Sequence, residues 1–338
     1  MNVKADNKLF LLKVYCNTMS LALGITLSFV AAIAWGSAMV IFKVGVKKVE
    51  PIIATYMKGV IAVPLLVLLG WGIYGIDSLV RIFYYPSWIW LILAVITITL
   101  GDFFSLVALT KINVSIAQPI SSAYPFFTTL LLLIGNIEEI TWNIIVGTIL
   151  ISIGVMTISY FSSKDYNKDN EKLADMNETE NKEEKKKRTP MFMGILFSIL
   201  AAIFWAGTVV STRLILNDVE VDVVSMMGIR NGLMVIVVFV IVIFRSLVNK
   251  ERKIAEINPF TKEGSFLMVG GAIAWCCGGV SFFTAVKMIG AGICTPLSSI
   301  SPFIVVLLGV IFLKEKISYK QIIGVIIIIV GSILLSLS

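Results

Sequence analysis

Residues 24–43, GITLSFVAAIAWGSAMVIFK, align without a gap to residues 194–213, GILFSILAAIFWAGTVVSTR. Gly24, Ser28, Ala31, Ala32, Ile33 and Trp35 fall on Gly194, Ser198, Ala201, Ala202, Ile203 and Trp205. Further along, Pro119-Ile-Ser-Ser-Ala-Tyr-Pro125 matches Pro296-Leu-Ser-Ser-Ile-Ser-Pro302, and at the same offset Glu138, Gly147 and Gly154 meet Glu315, Gly324 and Gly331. The chain is therefore written twice. Each copy is made of apolar runs of about 17–25 residues, the length that crosses a hydrocarbon core as a helix. Ten such spans are read at roughly 20–44, 52–73, 88–110, 113–134, 142–161, 191–216, 222–245, 264–289, 291–313 and 320–337. Five spans per copy place the halves in opposite orientations, the inverted-repeat plan of secondary transporters. The predicted fold class is an all-α integral membrane protein of ten helices in two inverted five-helix repeats.

Composition agrees. Of 338 residues, 58% are hydrophobic and 14% charged, against about 45–50% and about 25% in soluble domains. Backbone polar groups in lipid must be satisfied within the segment, which leaves helix for runs this apolar. Four segments are predicted: an N-terminal piece (1–19), a first repeat (20–161), a charged disordered linker (162–190) and a second repeat (191–338). The linker carries eight Lys/Arg and eight Asp/Glu, which marks a solvated connector. The basic start and Ala32-Ile33-Ala34 imitate a cleavable signal, but that run is the copied motif and is read as the first span.

Histidine is absent, which removes Ser-His-Asp and Cys-His nucleophiles and His metal sites. Cys16, Cys276, Cys277 and Cys294 form no C-x-x-C pair, so neither a metal nor a cofactor is expected. No basic patch or fold signature suggests nucleic acid, and no Walker A motif suggests an ATPase.

At these residues the sequence resembles the drug/metabolite transporter superfamily, in particular its ten-span EamA-type permeases. AAIAWGSAMVIFK in the first span resembles the family's opening helix. Ser301-Pro302, Glu315 and Gln321-Ile322-Ile323-Gly324 resemble its ninth-to-tenth-span segment. Where the family usually has Gly-Glu, this chain has Glu138-Glu139 and Lys314-Glu315, and Pro119 and Pro296 are additional to its pattern. The resemblance implies a multi-pass protein of the cell membrane that moves a small molecule, with efflux of an amino acid or related metabolite. Alternatives are import or exchange of a phosphorylated or nucleotide-linked metabolite and, from another class, a membrane-embedded lipid-modifying enzyme. Membrane lipid is the expected surround, and oligomeric state is not encoded in any motif.

The candidate site residues follow from physical chemistry. Pro119, Pro125, Pro296 and Pro302 should kink or break the fourth and ninth spans. That would expose carbonyls and the hydroxyls of Ser121, Ser122, Ser298 and Ser299, with Gln118 and Thr295 beside them. Broken helices at matching places in two repeats point to a binding site, whereas small polar residues also serve helix packing. Trp35 and Trp205 should lie inside the membrane, where an indole N–H needs a partner. Tyr124, and less specifically Tyr56, Phe103 and Phe104, could add aromatic wall.

Charges inside spans carry the most weight, because each costs several kcal/mol in lipid. Counting about 1.5 Å per residue from the span ends sets Lys58 and Asp102 at similar depth from one face, about 10–12 Å in. They are predicted to pair. Arg230 is the counterpart of Lys58, but Asp102 falls on Gly279, so Arg230 lacks an evident acid. Asp102 is thus a candidate proton-coupling group and Arg230 a candidate for a substrate carboxylate, against a structural ion pair and a snorkelling arginine. Lys43 and Arg213 are read as interfacial anchors, and Glu138 and Glu315 as structural helix-end residues.

Two orientation arguments conflict. The family implies both termini in the cytoplasm. Loops on the N-terminal side, however, hold only Lys4, Lys8, Lys13, Arg81, Arg213 and Lys287, against about twenty basic residues opposite, and the positive-inside rule then places the connector in the cytoplasm.

Overall fold

The computed structural model describes residues 3–46, 48–84, 86–112, 114–176, 191–218, 220–248, 258–304 and 319–337. Every regular element among them is helical. The first half holds α1 (Val3–Gly45), α2 (Pro51–Met57), α3 (Gly59–Tyr74), α4 (Ile76–Arg81), α5 (Ser87–Lys111), α6 (Val114–Ser121), α7 (Tyr124–Ile134) and α8 (Trp142–Met176). The second holds α9 (Met191–Ile215), α10 (Val223–Val248), α11 (Lys262–Ala272), a π-helical segment Ile273–Gly279, α12 (Val280–Ile289), α13 (Ala291–Ser298) and α14 (Tyr319–Ser336).

Among the described residues, six stretches are long and apolar enough to cross a membrane: Met19–Gly45, Pro51–Tyr74, Ser87–Lys111, Phe192–Ile215, Val223–Arg245 and Lys262–Ile289. Tyr124–Ile134, Trp142–Thr157, Ala291–Ile304 and Ile322–Leu335 are shorter apolar helices. Large apolar side chains such as Leu68, Trp71, Ile92, Phe244 and Ile329 point outward, as they must where lipid replaces water.

Helices of one half pack on helices of the other. α1 lies along α11, the π segment and α12, while α9 lies along α5. α3 packs on α10, and α8 on α14. Lipid tails are as apolar as the helices, so association depends on close approach at small residues. The glycines supply it. A Cβ on Gly24 would lie 2.7 Å from Ile289, and one on Gly194 would lie 2.5 Å from Ile112. Between α8 and α14, Gly154 approaches the Gly324 carbonyl and Gly331 the Gly147 carbonyl, at 2.8 and 3.0 Å from the position of an added Cβ.

Two helices run on past their apolar stretches. The fifth apolar stretch is Trp142–Thr157, and α8 continues through polar residues to Met176, into the first part of the predicted linker. Propagating an existing helix avoids the nucleation cost. The rest of the predicted linker, 177–190, lies outside the described residues. So do Lys314 and Glu315. Likewise α1 begins at Val3, ahead of its apolar stretch Met19–Gly45.

Arg213 and Glu138 are more than end markers. The Glu138 carboxylate pairs with the Arg213 guanidinium and accepts the backbone N–H groups of Ala291 and Gly292, each at 2.9 Å. A first-half acid thereby caps the N-terminus of α13 in the second half, where the helix leaves amides unpaired. Gly290, at φ 85°, leaves room for that carboxylate, which an added Cβ would meet at 3.0 Å. Lys43 donates to the Leu109 carbonyl at 2.7 Å, near the C-terminus of α5.

Candidate functional site

A cavity of about 130 Å³ lies between the halves, measured as the space open to the centre of a water molecule. Its walls come from α1, α5, α6, α9, α10, the π segment and α12, together with the junctions between α2 and α3 and between α6 and α7.

Lys58 reaches the cavity because the second span is interrupted there, between α2 and α3. Its ammonium pairs with Asp102 Oδ2, and both residues are only 4% exposed. The other carboxylate oxygen, Oδ1, accepts the Trp205 indole N–H at 3.0 Å. Lys58 Nζ also lies 4.7 Å from the Phe42 ring centroid and 5.6 Å from that of Trp275, so aromatic faces add to the charge compensation. Asp102 therefore links a span of its own half with a helix of the other.

Arg230 is 2% exposed and lines the same cavity. Its guanidinium donates to Thr212 Oγ1 (2.8 Å), to Asn231 Oδ1 (3.1 and 3.2 Å) and to Met227 Sδ (3.1 Å), and sits 4.8 Å from the Phe283 ring. Among the described residues no carboxylate is within ion-pair distance of it. Gln118, 5% exposed, donates weakly to Ser301 Oγ at 3.4 Å, and its Oε1 has no partner.

The two tryptophans use their N–H groups differently. Trp35 donates to the Ala274 carbonyl, in the π segment, at 2.9 Å, whereas Trp205 donates to Asp102. Each ring is received by a glycine of the opposite half. A Cβ on Gly278 would lie 2.6 Å from Trp35 Nε1, and one on Gly101 would lie 2.6 Å from Trp205 Cδ1. Gly101 and Gly278 share the offset of the proline motifs, a match in the sequence that could have exposed them. The π register has no such sequence signal. Phe42, Trp275 and Phe283 also line the cavity, and nothing in their spacing distinguishes them from packing residues.

Of the predicted residues, the structure brings Trp35, Trp205, Gln118, Ser122, Tyr124, Arg230, Asp102 and Lys58 to the cavity wall. Four hydroxyls expected to be free are not. Ser121 bonds the carbonyls of Ala117 and Gln118, Thr295 that of Ala291, and Ser299 that of Pro296. Ser298 bonds the Thr295 carbonyl and the Tyr124 hydroxyl. Short hydroxyls next to an interrupted ladder satisfy its carbonyls first. The fourth and ninth spans are each interrupted between their two prolines: α6 runs through Pro119 and α13 through Pro296. The turns come at Ser122-Ala123 and Ser299-Ile300. Pro125 opens α7 in the first turn, where a missing N–H is harmless, and Pro302 occupies the matching place. Tyr56 instead packs on Phe239, and Phe104 on Phe103, Phe197 and Phe204.

Apolar helices enclosing a cavity with buried charges belong to a multi-pass integral membrane transporter of the cell membrane. The chain belongs to the EamA-like transporter family, which matches residues 22–160 and 192–337. An uncharacterized transporter of Archaeoglobus fulgidus is 25% identical over 323 residues, 93% of this chain and 98% of its own. An uncharacterized protein of Methanocaldococcus jannaschii is 54% identical over 48 residues, 14% of this chain and 35% of its own. In fold, a solved crystal structure superposes with a TM-score of 0.65 at 14% identity, over 93% of this chain and 96% of that one.

Proposed function

We propose that the protein is a secondary-active permease of ten spans, two inverted five-helix units that move a small metabolite by alternating access. Efflux of an amino acid or a related compound is its physiological task. The observation that supports this best is a cavity shared by both halves, whose walls are joined by Trp205–Asp102 on one side and Trp35–Ala274 on the other. Rocking one unit against the other would open and close that space while leaving the units themselves intact. The pairing of α1 with α12 and of α9 with α5, related by the repeat, also supports a two-fold relation between the units. Exchange of phosphorylated metabolites finds less support, because Lys58 is already answered by Asp102 and a dianion would meet one further cavity cation, Arg230.

The test is flux of a labelled amino-acid and metabolite panel in proteoliposomes, with and without a pH gradient. Saturable flux and counterflow are expected from the protein and not from empty vesicles; a panel that never moves refutes the reading. Asp102→Asn provides the proton arm. Gradient-driven flux that persists undiminished in the variant removes Asp102 from proton coupling.

A further inference from the structure

We infer that the species bound in the cavity carries one net negative charge, a neutral N–H or O–H donor and an apolar body; this rests on the permease reading and, within it, narrows the substrate from zwitterionic amino acids to related compounds whose amine is uncharged or absent. The argument begins with charge. Among the described residues, Lys58, Asp102 and Arg230 are the ionic side chains of the cavity wall. Lys58 and Asp102 cancel, so the empty cavity keeps the single positive charge of Arg230. A buried charge in a membrane protein is stabilised by an answering charge; the groups in contact with Arg230 are neutral oxygens, a thioether and a ring, and the Asp102 carboxylate of the same cavity is already taken by Lys58 and Trp205. The bound molecule supplies the missing anion.

The same count excludes other charge types. A cation would face a net positive wall. A zwitterion would satisfy Arg230 but bring an ammonium into a cavity whose one carboxylate already accepts from Lys58 and Trp205. A dianion would leave its second charge without a partner. Gln118 completes the pattern: its unpartnered, buried Oε1 accepts a hydrogen bond, and a neutral donor satisfies it without adding charge. Aromatic and methionine walls from Trp35, Phe42, Met227 and Phe283 receive the apolar remainder.

The test uses one apolar body in five compounds of four charge forms: N-acetyl-L-leucine (anion with N–H), 4-methylpentanoate (anion without it), N-acetyl-L-leucinamide (neutral), L-leucine (zwitterion) and L-leucinamide (cation). Labelled N-acetyl-L-leucine is bound to the purified full-length protein, and the other four compete. The amide, zwitterion and cation should be about 10- to 100-fold weaker, the range for a hydrogen-bonded charge, and 4-methylpentanoate about fivefold weaker for one neutral hydrogen bond. Arg230→Met should abolish the preference for anion over amide, and Arg230→Lys should keep it. The inference is overturned if N-acetyl-L-leucine does not bind, if leucine or leucinamide competes as well as the anion, or if Arg230→Met binds with unchanged preference. Counterflow in proteoliposomes separates the two readings. Anion-selective binding without movement sinks the permease and leaves the ligand chemistry standing. Leucine flux without N-acetyl-L-leucine binding does the reverse.

Discussion

Removing one member of the Lys58–Asp102 pair should harm the protein far more than removing both. Asp102→Asn keeps an oxygen for the Trp205 N–H but leaves the Lys58 ammonium unanswered at 4% exposure. Breaking a buried pair costs about 3–5 kcal/mol, and the faces of Phe42 and Trp275 return about 1 kcal/mol. A loss of about 2–4 kcal/mol is therefore expected. Lys58→Met should be milder, because Arg230 lines the same cavity and keeps its total charge at zero beside Asp102. In the double variant Lys58→Met/Asp102→Asn, methionine fits between the two rings and no ion pair is left to break. Its stability should return to within about 1 kcal/mol of the wild type, since replacing a buried pair outright is often neutral. Unfolding in mixed micelles, followed by tryptophan fluorescence, closes the double-mutant cycle. A double variant as unstable as the two singles added together would refute the pairing argument.

Gly101→Ala and Gly278→Ala each add a methyl 2.6 Å from a tryptophan of the other half. Each should cost about 1–3 kcal/mol, with a shift in tryptophan emission; unchanged spectra would contradict the cradle. Glu138→Gln should lower stability by about 1–3 kcal/mol through loss of the Arg213 pair and weaker capping of α13. Cysteine labelling near Gly290 should then speed up, and unchanged rates would count against the cap. Gly279→Asp combined with Met227→Ala should abolish anion-selective binding in the leucine series while leaving the protein at least as stable as Met227→Ala alone.

The repeat made much of the architecture legible, because gap-free copies such as 24–43 and 194–213 need no knowledge of packing. Depth counting from span ends likewise brought Lys58 and Asp102 together, since two charges in apolar helices have few ways to be satisfied. Partners across the halves were beyond such reasoning. That Trp205 meets Asp102, or that Glu138 caps α13, depends on which helices touch, and apolar periodicity in lipid does not encode neighbours as it does in water. The serines were misread for a related reason. Sequence shows that Ser121, Ser298 and Ser299 are near prolines, but not that their hydroxyls donate to helix carbonyls.

Where the two halves differ is as informative as where they match. Asp102 and Gly279 are counterparts, and each follows the glycine that cradles the opposite tryptophan. In the first half the acid answers Lys58 and accepts the indole N–H. The second half has no acid there, so Trp35 turns to a backbone carbonyl in a π-helical stretch, a register frequent at functional sites. The room left by Gly279 is taken by Met227, whose Cε would lie 2.3 Å from an added Cβ and whose sulfur touches Arg230. Clearing Met227 and installing aspartate would give Arg230 the partner that Lys58 already has. If Arg230 is left unpaired so that a ligand can pair with it, this restored symmetry should bring the cavity to zero net charge and remove its preference for an anion. Should the double variant still prefer N-acetyl-L-leucine over its amide as the wild type does, the charge at Arg230 is not what selects the ligand.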